Sequence, residues 1–262
     1  MIRNYAFADD YREPYRPMIT RATQRILYVT VAVFAAQLVA DVIFPRPIHR
    51  EFGLATPGGP LIAWGAYQNS YLLRGAIWTP VTYMFLHGGL WHLFVNMLLL
   101  YFCGPEVERI LSTRRFYRFY VFCGVLGAFG NLVPALLPAF GADRTVVGAS
   151  GAVMGVLVAF AVAYPHREFF IFPFPVPIPA WALVLIIIVL NILSVGTSTS
   201  VATHFAGMAA GFAYMKAAPR MRNLYRLGRR APGSPTDEVD ALKRAVDNIF
   251  RFEEEKRRRE RH

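Results

Sequence analysis

Cysteine is almost missing from this chain: its 262 residues include two, Cys103 and Cys123. Both lie in apolar stretches and fit no metal-ligand spacing, so they read as small packing residues rather than parts of a disulfide framework. Acidic residues are also scarce, 17 Asp and Glu against 28 Lys and Arg, for a net charge of +11. The basic surplus gathers at the two ends and in some loops. It is not interleaved with aromatics on a folded face, which argues against a nucleic-acid reader and for membrane topology signalling. The stretch Met1–Thr20 has no apolar run, and Asp9, Asp10 and Glu13 fall within it. Neither a secretory signal nor an organelle transit peptide is expected there. What the chain has in quantity is apolar surface: 55% of its residues are hydrophobic and 15% aromatic. These come in blocks separated by short polar stretches, the pattern of an all-α membrane protein rather than of amphipathic elements around a soluble core.

Six apolar segments can be drawn: 26–44, 90–103 (with a start near Val81 as the alternative), 116–137, 150–164, 180–195 and 201–215. The second, fourth and sixth fall short of the roughly 20 residues that span a bilayer, and they carry the polar residues. The Lys/Arg distribution sets an orientation. Arg3, Arg12, Arg16, Arg21 and Arg25 precede the first segment, Arg109, Arg114, Arg115 and Arg118 follow the second, and Lys216, Arg220, Arg222, Arg226, Arg229 and Arg230 follow the sixth. The opposite loops are sparser, apart from the long first loop at 45–77. Both termini are therefore expected in the cytoplasm, with an even number of spans. The first loop carries Trp64, Tyr67, Tyr71 and Trp78 and is expected to dip into the outer headgroup region. The alternating prolines of 173–179 predict a stiff, extended connector. Three parts are expected: a cytoplasmic segment 1–25, a six-helix domain 26–217, and a basic cytoplasmic tail 218–262. In the tail, Val239, Leu242, Ala245, Val246, Ile249 and Phe250 recur at helical spacing. That helix is read as surface-lying, with docking or homo-oligomer formation as the alternative.

Two polar residues in apolar segments point to chemistry. Ser150 opens the fourth segment within Gly148-Ala149-Ser150-Gly151, and His204 sits in the sixth. An ionisable group at membrane depth is costly and usually has a partner and a task. A serine at a helix start has free backbone N–H groups beside it, suited to a developing oxyanion. Gly151 and Gly155 form a small-xxx-small face, as do Gly207 and Gly211 after His204, and close approach of the two faces would bring His204 beside Ser150. The glycine pattern alone leaves simple helix packing open. In the second segment, His92 and Asn96 are i, i+4 and share a face. They offer two donors for an oxyanion hole, or an interhelical polar clasp. A zinc site is disfavoured: the segment as drawn holds no Asp or Glu, and His87 and His92 are five positions apart.

In this order, these residues resemble the rhomboid family of intramembrane serine proteases over roughly 75–215. The resemblance rests on Trp78, the run Phe85-Leu86-His87-Gly88-Gly89, His92-x-x-x-Asn96, Gly104 to Glu108-Arg109, Gly148-Ala149-Ser150-Gly151, Pro177-Ile178-Pro179-Ala180, and His204-x-x-Gly207-x-x-x-Gly211. It implies a six-transmembrane-helix bundle with a membrane-embedded first loop. It also implies a serine–histidine dyad lacking a third acidic member, with Ser150 as nucleophile and His204 as general base. His92, Asn96 and the Ser150 N–H would stabilise the oxyanion. Transmembrane protein substrates, a lipid bilayer setting and no cofactor follow from the same resemblance. Two positions depart from it: Thr79 stands where Arg often follows the tryptophan, and Met154 where some members place an aromatic against the histidine. A catalytically silent binder of transmembrane helices is the main alternative, and the expected loss of Ser or His is not seen. A transporter would show paired halves, and no internal repeat is visible. A bacterial inner membrane is the expected location.

Overall fold

The computed structural model describes residues 19–44, 49–51, 54–56, 59–133, 145–170, 176–194 and 201–217. The chain divides into a unit Met1–Met215 and a second, Lys216–His262, of which only the first two residues are described. The segment 1–18 and the tail helix expected at 236–250 therefore lie outside the described residues.

The described structure is mostly helical. α1 (Arg21–Ile43) leads to a small hairpin, β1 (His49–Glu51) with β2 (Leu54–Thr56), then to short helices α2 (Pro60–Gly65), α3 (Asn69–Leu73) and α4 (Thr79–Thr82). α5 (Leu90–Leu111), α6 (Thr113–Gly130) and α7 (Ser150–Ala163) follow. A second hairpin, β3 (Glu168–Phe170) with β4 (Pro177–Pro179), precedes α8 (Ala180–Leu193) and α9 (Val201–Ala217).

α7 is the centre of the bundle. Its sequence is apolar on every side, so burial is favourable all round, and every residue from Ser150 to Phe160 is buried. α5 and α6 pack directly on it. The outer helices bury one stripe each. On α1 that stripe is Ala22, Ile26, Thr30, Phe34 and Gln37, one residue per turn. On α8 it is only Ala180, Leu183 and Asn191. Their remaining faces are exposed yet apolar, with Val39, Val42, Leu185, Ile186, Val189 and Leu190 turned outward. Water would penalise such faces and hydrocarbon would not. α1 and α5 are long and apolar enough to cross a membrane, whereas α7 and α8, with 14 residues each, are shorter.

One expectation changes. The second apolar segment is not short: α5 runs to Leu111, through Pro105 and past Glu106 and Glu108. Proline inside an apolar helix is tolerated where neighbouring helices pack around the freed backbone, and Pro105 is buried. Glu108 explains the rest of the extension. Its carboxylate accepts from the Ala22 N–H at 3.0 Å, the Thr23 N–H at 2.9 Å, the Thr23 hydroxyl at 3.1 Å, the Thr113 hydroxyl at 2.9 Å and the Thr20 hydroxyl. The first amides of α1 have no intrahelical acceptors and present the positive end of the helix dipole. A carboxylate 88 residues away in sequence from Thr20 thus caps α1 and joins it to the α5–α6 corner.

The first loop is tied into the bundle. Tyr67 and Tyr71 are fully buried, and Tyr67 exchanges two backbone hydrogen bonds with Val146, at 3.0 and 2.7 Å. Trp78 stacks on Trp64 and donates its ring N–H to the Trp64 carbonyl at 2.9 Å. Thr79 is buried and bonds the Ala76 carbonyl at 2.8 Å. The proline connector is extended at Pro177–Pro179, and it pairs with Glu168–Phe170 rather than running alone.

Candidate active site

Ser150 is the first residue of α7, with Ala149 as its cap. The two preceding amides have acceptors: Gly148 N–H bonds the Tyr83 carbonyl at 2.9 Å and Ala149 N–H reaches His87 Nε2 at 3.4 Å. Ser150 N–H, at the first helical position, has no intrahelical acceptor. Gly148 turns the chain into the helix at φ +117°, a conformation glycine adopts without strain. A side chain there would also collide with His92, since a Cβ would lie 2.5 Å from its Cε1. The His92 ring therefore lies over the entry to α7, two residues from Ser150.

α9 approaches through its glycines. A Cβ on Gly207 would lie 2.0 Å from the Gly151 carbonyl oxygen, and one on Gly211 would lie 2.4 Å from that of Gly155. α6 closes the other side: a Cβ on Gly127 would meet Gly151 Cα at 3.3 Å, and one on Gly155 would meet Cys123 Sγ at 2.6 Å. Close backbone contact of this kind needs small residues on both helices. Cys123, free and buried, fills the junction as a small apolar residue.

This contact sets His204 Nε2 2.8 Å from Ser150 Oγ. That is hydrogen-bond reach for a hydroxyl and its base. Ser150 is 8% exposed and His204 is half-buried. On its other side, His204 Nδ1 lies 2.6 Å from Asn191 Oδ1. Asn191 in turn donates through Nδ2 to the Ile187 carbonyl at 2.8 Å.

Asn96 is buried one turn beyond His92 on α5, and its Nδ2 donates to the His92 carbonyl at 2.8 Å. One amide hydrogen is thereby engaged, leaving the second of the two available. His87 is fully buried; its ring meets His92 edge-on at 5.2 Å. Gln37 of α1 grips the His87 backbone from both sides, donating to its carbonyl at 2.8 Å and accepting from its N–H at 3.2 Å. Met154 is buried one turn along α7 from Ser150.

The sequence-named residues Ser150, His204, His92, Gly148, Gly151, Gly155, Gly207 and Gly211 are therefore gathered at one junction. Three participants were missed by sequence reasoning. Asn191 is the one side-chain amide in α8, and a polar group in an apolar helix calls for a hydrogen-bond partner. Gln37 is likewise the one side-chain amide in the apolar segment 26–44. Tyr83, whose hydroxyl bonds the Gly124 carbonyl at 2.7 Å beside Gly127 and Gly151, has no such signal, because tyrosine is common near membrane interfaces.

The sequence of residues 74–220, more than half of the chain, matches the rhomboid domain. The chain belongs to the rhomboid family. It is similar to the rhomboid protease GluP of Bacillus subtilis, 34% identical over 107 residues that make 41% of this chain and 21% of that one. It is similar to RHOMBOID-like protein 5 of Arabidopsis thaliana, 36% identical over 114 residues, 44% of this chain and 36% of that one. It is also similar to the inactive RHOMBOID-like protein 8 of the same plant, 29% identical over 97 residues, 37% of this chain and 26% of that one. The chain thus spans less than half the length of these rhomboid relatives.

Proposed function

We propose that this rhomboid is an intramembrane serine endopeptidase that hydrolyses peptide bonds in or next to transmembrane segments of membrane proteins. The observation that carries this reading is the 2.8 Å contact between Ser150 Oγ and His204 Nε2. In the mechanism, Nε2 takes the Ser150 proton as Oγ attacks the scissile carbonyl carbon. The negative charge moves to the carbonyl oxygen, where the Ser150 N–H, His92 and the second Asn96 N–H stabilise it. Collapse of the tetrahedral intermediate breaks the C–N bond, and the proton on Nε2 passes to the leaving amine. Water, deprotonated by the same nitrogen, then hydrolyses the Ser150 ester.

The proposal includes six spans with both termini cytoplasmic, in a bacterial inner membrane, and a membrane-embedded first loop. Residues 1–25, 26–217 and 218–262 would form the cytoplasmic segment, protease domain and basic tail, with the tail helix available for self-association. No cofactor enters. α7, about 21 Å long at 1.5 Å per residue, is too short to cross the hydrocarbon core. It would set Ser150 below the headgroups at the floor of a water-accessible cavity.

Ser150→Ala and His204→Ala are each expected to abolish cleavage of a reporter transmembrane substrate while leaving the protein folded. Retained turnover in either sinks the assignment. Similarity to a relative named inactive keeps a second reading, a silent binder of transmembrane helices. A fluorophosphonate probe separates the two: the protease is labelled at Ser150 and its Ser150→Ala variant is not, whereas the silent binder is labelled in neither form.

A further inference from the structure

We propose that Asn191 is a positioning residue that fixes the tautomer and ring orientation of His204; this rests on the reading of Ser150 and His204 as nucleophile and base. α8 is otherwise apolar along its whole buried stripe, and its outward faces are Leu, Ile and Val with Trp181. One amide interrupts it, 8% exposed, on the buried stripe and directed at His204. A buried amide in such surroundings is costly unless both its ends are bonded. Both are, through the 2.8 Å bond to the Ile187 carbonyl and the 2.6 Å contact with His204.

The polarity of the chain of bonds follows from which atoms can donate. The Ile187 carbonyl only accepts, so the NH₂ of Asn191 must face it; the reversed amide would set oxygen against oxygen. Oδ1 then faces His204 Nδ1 and can only accept, so Nδ1 carries the proton. A neutral imidazole protonated at Nδ1 has its lone pair on Nε2, the nitrogen 2.8 Å from Ser150 Oγ. The hydroxyl proton is thus directed to the nitrogen that must receive it. An asparagine beside a catalytic histidine harms a serine protease when its NH₂ faces the ring and imposes the wrong tautomer. Here the α8 backbone holds the amide oxygen-forward. The same bond holds the ring plane without an aromatic at position 154, where Met154 can offer packing but no directional bond.

The first measurement is made on the intact wild-type protein in detergent or nanodiscs. ¹⁵N NMR of histidine-labelled protein, assigned by difference with His204→Ala, should show neutral His204 as the Nδ1–H tautomer; the Nε2–H tautomer overturns the proposal even if no variant folds. Second, Asn191→Leu, close in shape but unable to accept, should lower kcat about 10²-fold, the low end of what a general base supplies, with KM changed little and the Nδ1–H signature lost. Asn191→Asp, which keeps the acceptor, should stay well above Asn191→Leu. A folded Asn191→Leu variant with wild-type kcat, or one whose loss Asn191→Asp shares fully, refutes the positioning role. Failure of the underlying reading looks different, because wild-type protein would then neither cleave substrate nor label with the fluorophosphonate.

Discussion

His92 and Asn96 are the two side-chain donors of the proposed oxyanion hole. The His92 ring lies against Gly148, two residues before Ser150. The amide of Asn96 is oriented by the His92 carbonyl of its own helix, and in the proposed mechanism its second hydrogen serves the oxyanion. His92→Ala and Asn96→Ala are therefore expected to lower kcat on the order of 10²–10³-fold each, the usual loss for one oxyanion donor. Substrate-cleavage assays with the folded variants check this, and a change below a few-fold removes that residue from the oxyanion hole. His204 needs no aromatic neighbour to be oriented, because its two ring nitrogens are held from opposite sides, by Ser150 and Asn191.

At the scale of elements, the site exists because three helices touch backbone to backbone. α7 sits between α6 and α9 with glycines at the contacts, and the Ser150–His204 distance depends on that closeness. Gly207→Ala inserts a methyl group at 2.0 Å from the Gly151 carbonyl oxygen, a position no side chain can share with backbone. The helices must move apart. Overpacking of this kind costs typically about 1–3 kcal/mol, and the lateral shift also lengthens the Ser150–His204 contact. A lowered midpoint of thermal unfolding with a large fall in cleavage is expected; an unchanged midpoint with full activity contradicts the close packing. α1 is fastened by other means, at its start by Glu108 and near its end by Gln37, so both ends of one outer helix are joined to α5 or the turn before it.

For the whole molecule, the outward apolar faces of α1 and α8 suit lipid, and the clustered arginines set the proposed direction of insertion. The chain carries its own control for a topology experiment. Its two cysteines are buried, at 1% and 0% exposure, so a membrane-impermeant maleimide has little background to label. With both termini cytoplasmic, Thr145→Cys is expected to label from outside intact cells and Arg229→Cys only after lysis. The reverse pattern, or the same pattern at both positions, overturns the proposed orientation.

Four helix starts were legible in the sequence: Leu90, Ser150, Ala180 and Val201 each begin a segment and an observed helix, whereas the first and third begin earlier, at Arg21 and Thr113. So was the polar pair, because a hydroxyl and an imidazole inside apolar runs stand out by composition alone. These are local properties, set by hydropathy and by where glycine and proline interrupt it. The end of α5 was not legible, since Pro105 and Glu106 look like a terminus until Glu108 is seen capping a helix 85 residues or more away. Nor was the place of Tyr67, which pairs with Val146 from another part of the chain. The sequence by itself determined that Ser150 and His204 are candidates. Only the tertiary structure decided that Asn191 stands behind the histidine and which way its amide faces, because a hydrogen bond between helices depends on their relative placement and not on spacing along either one.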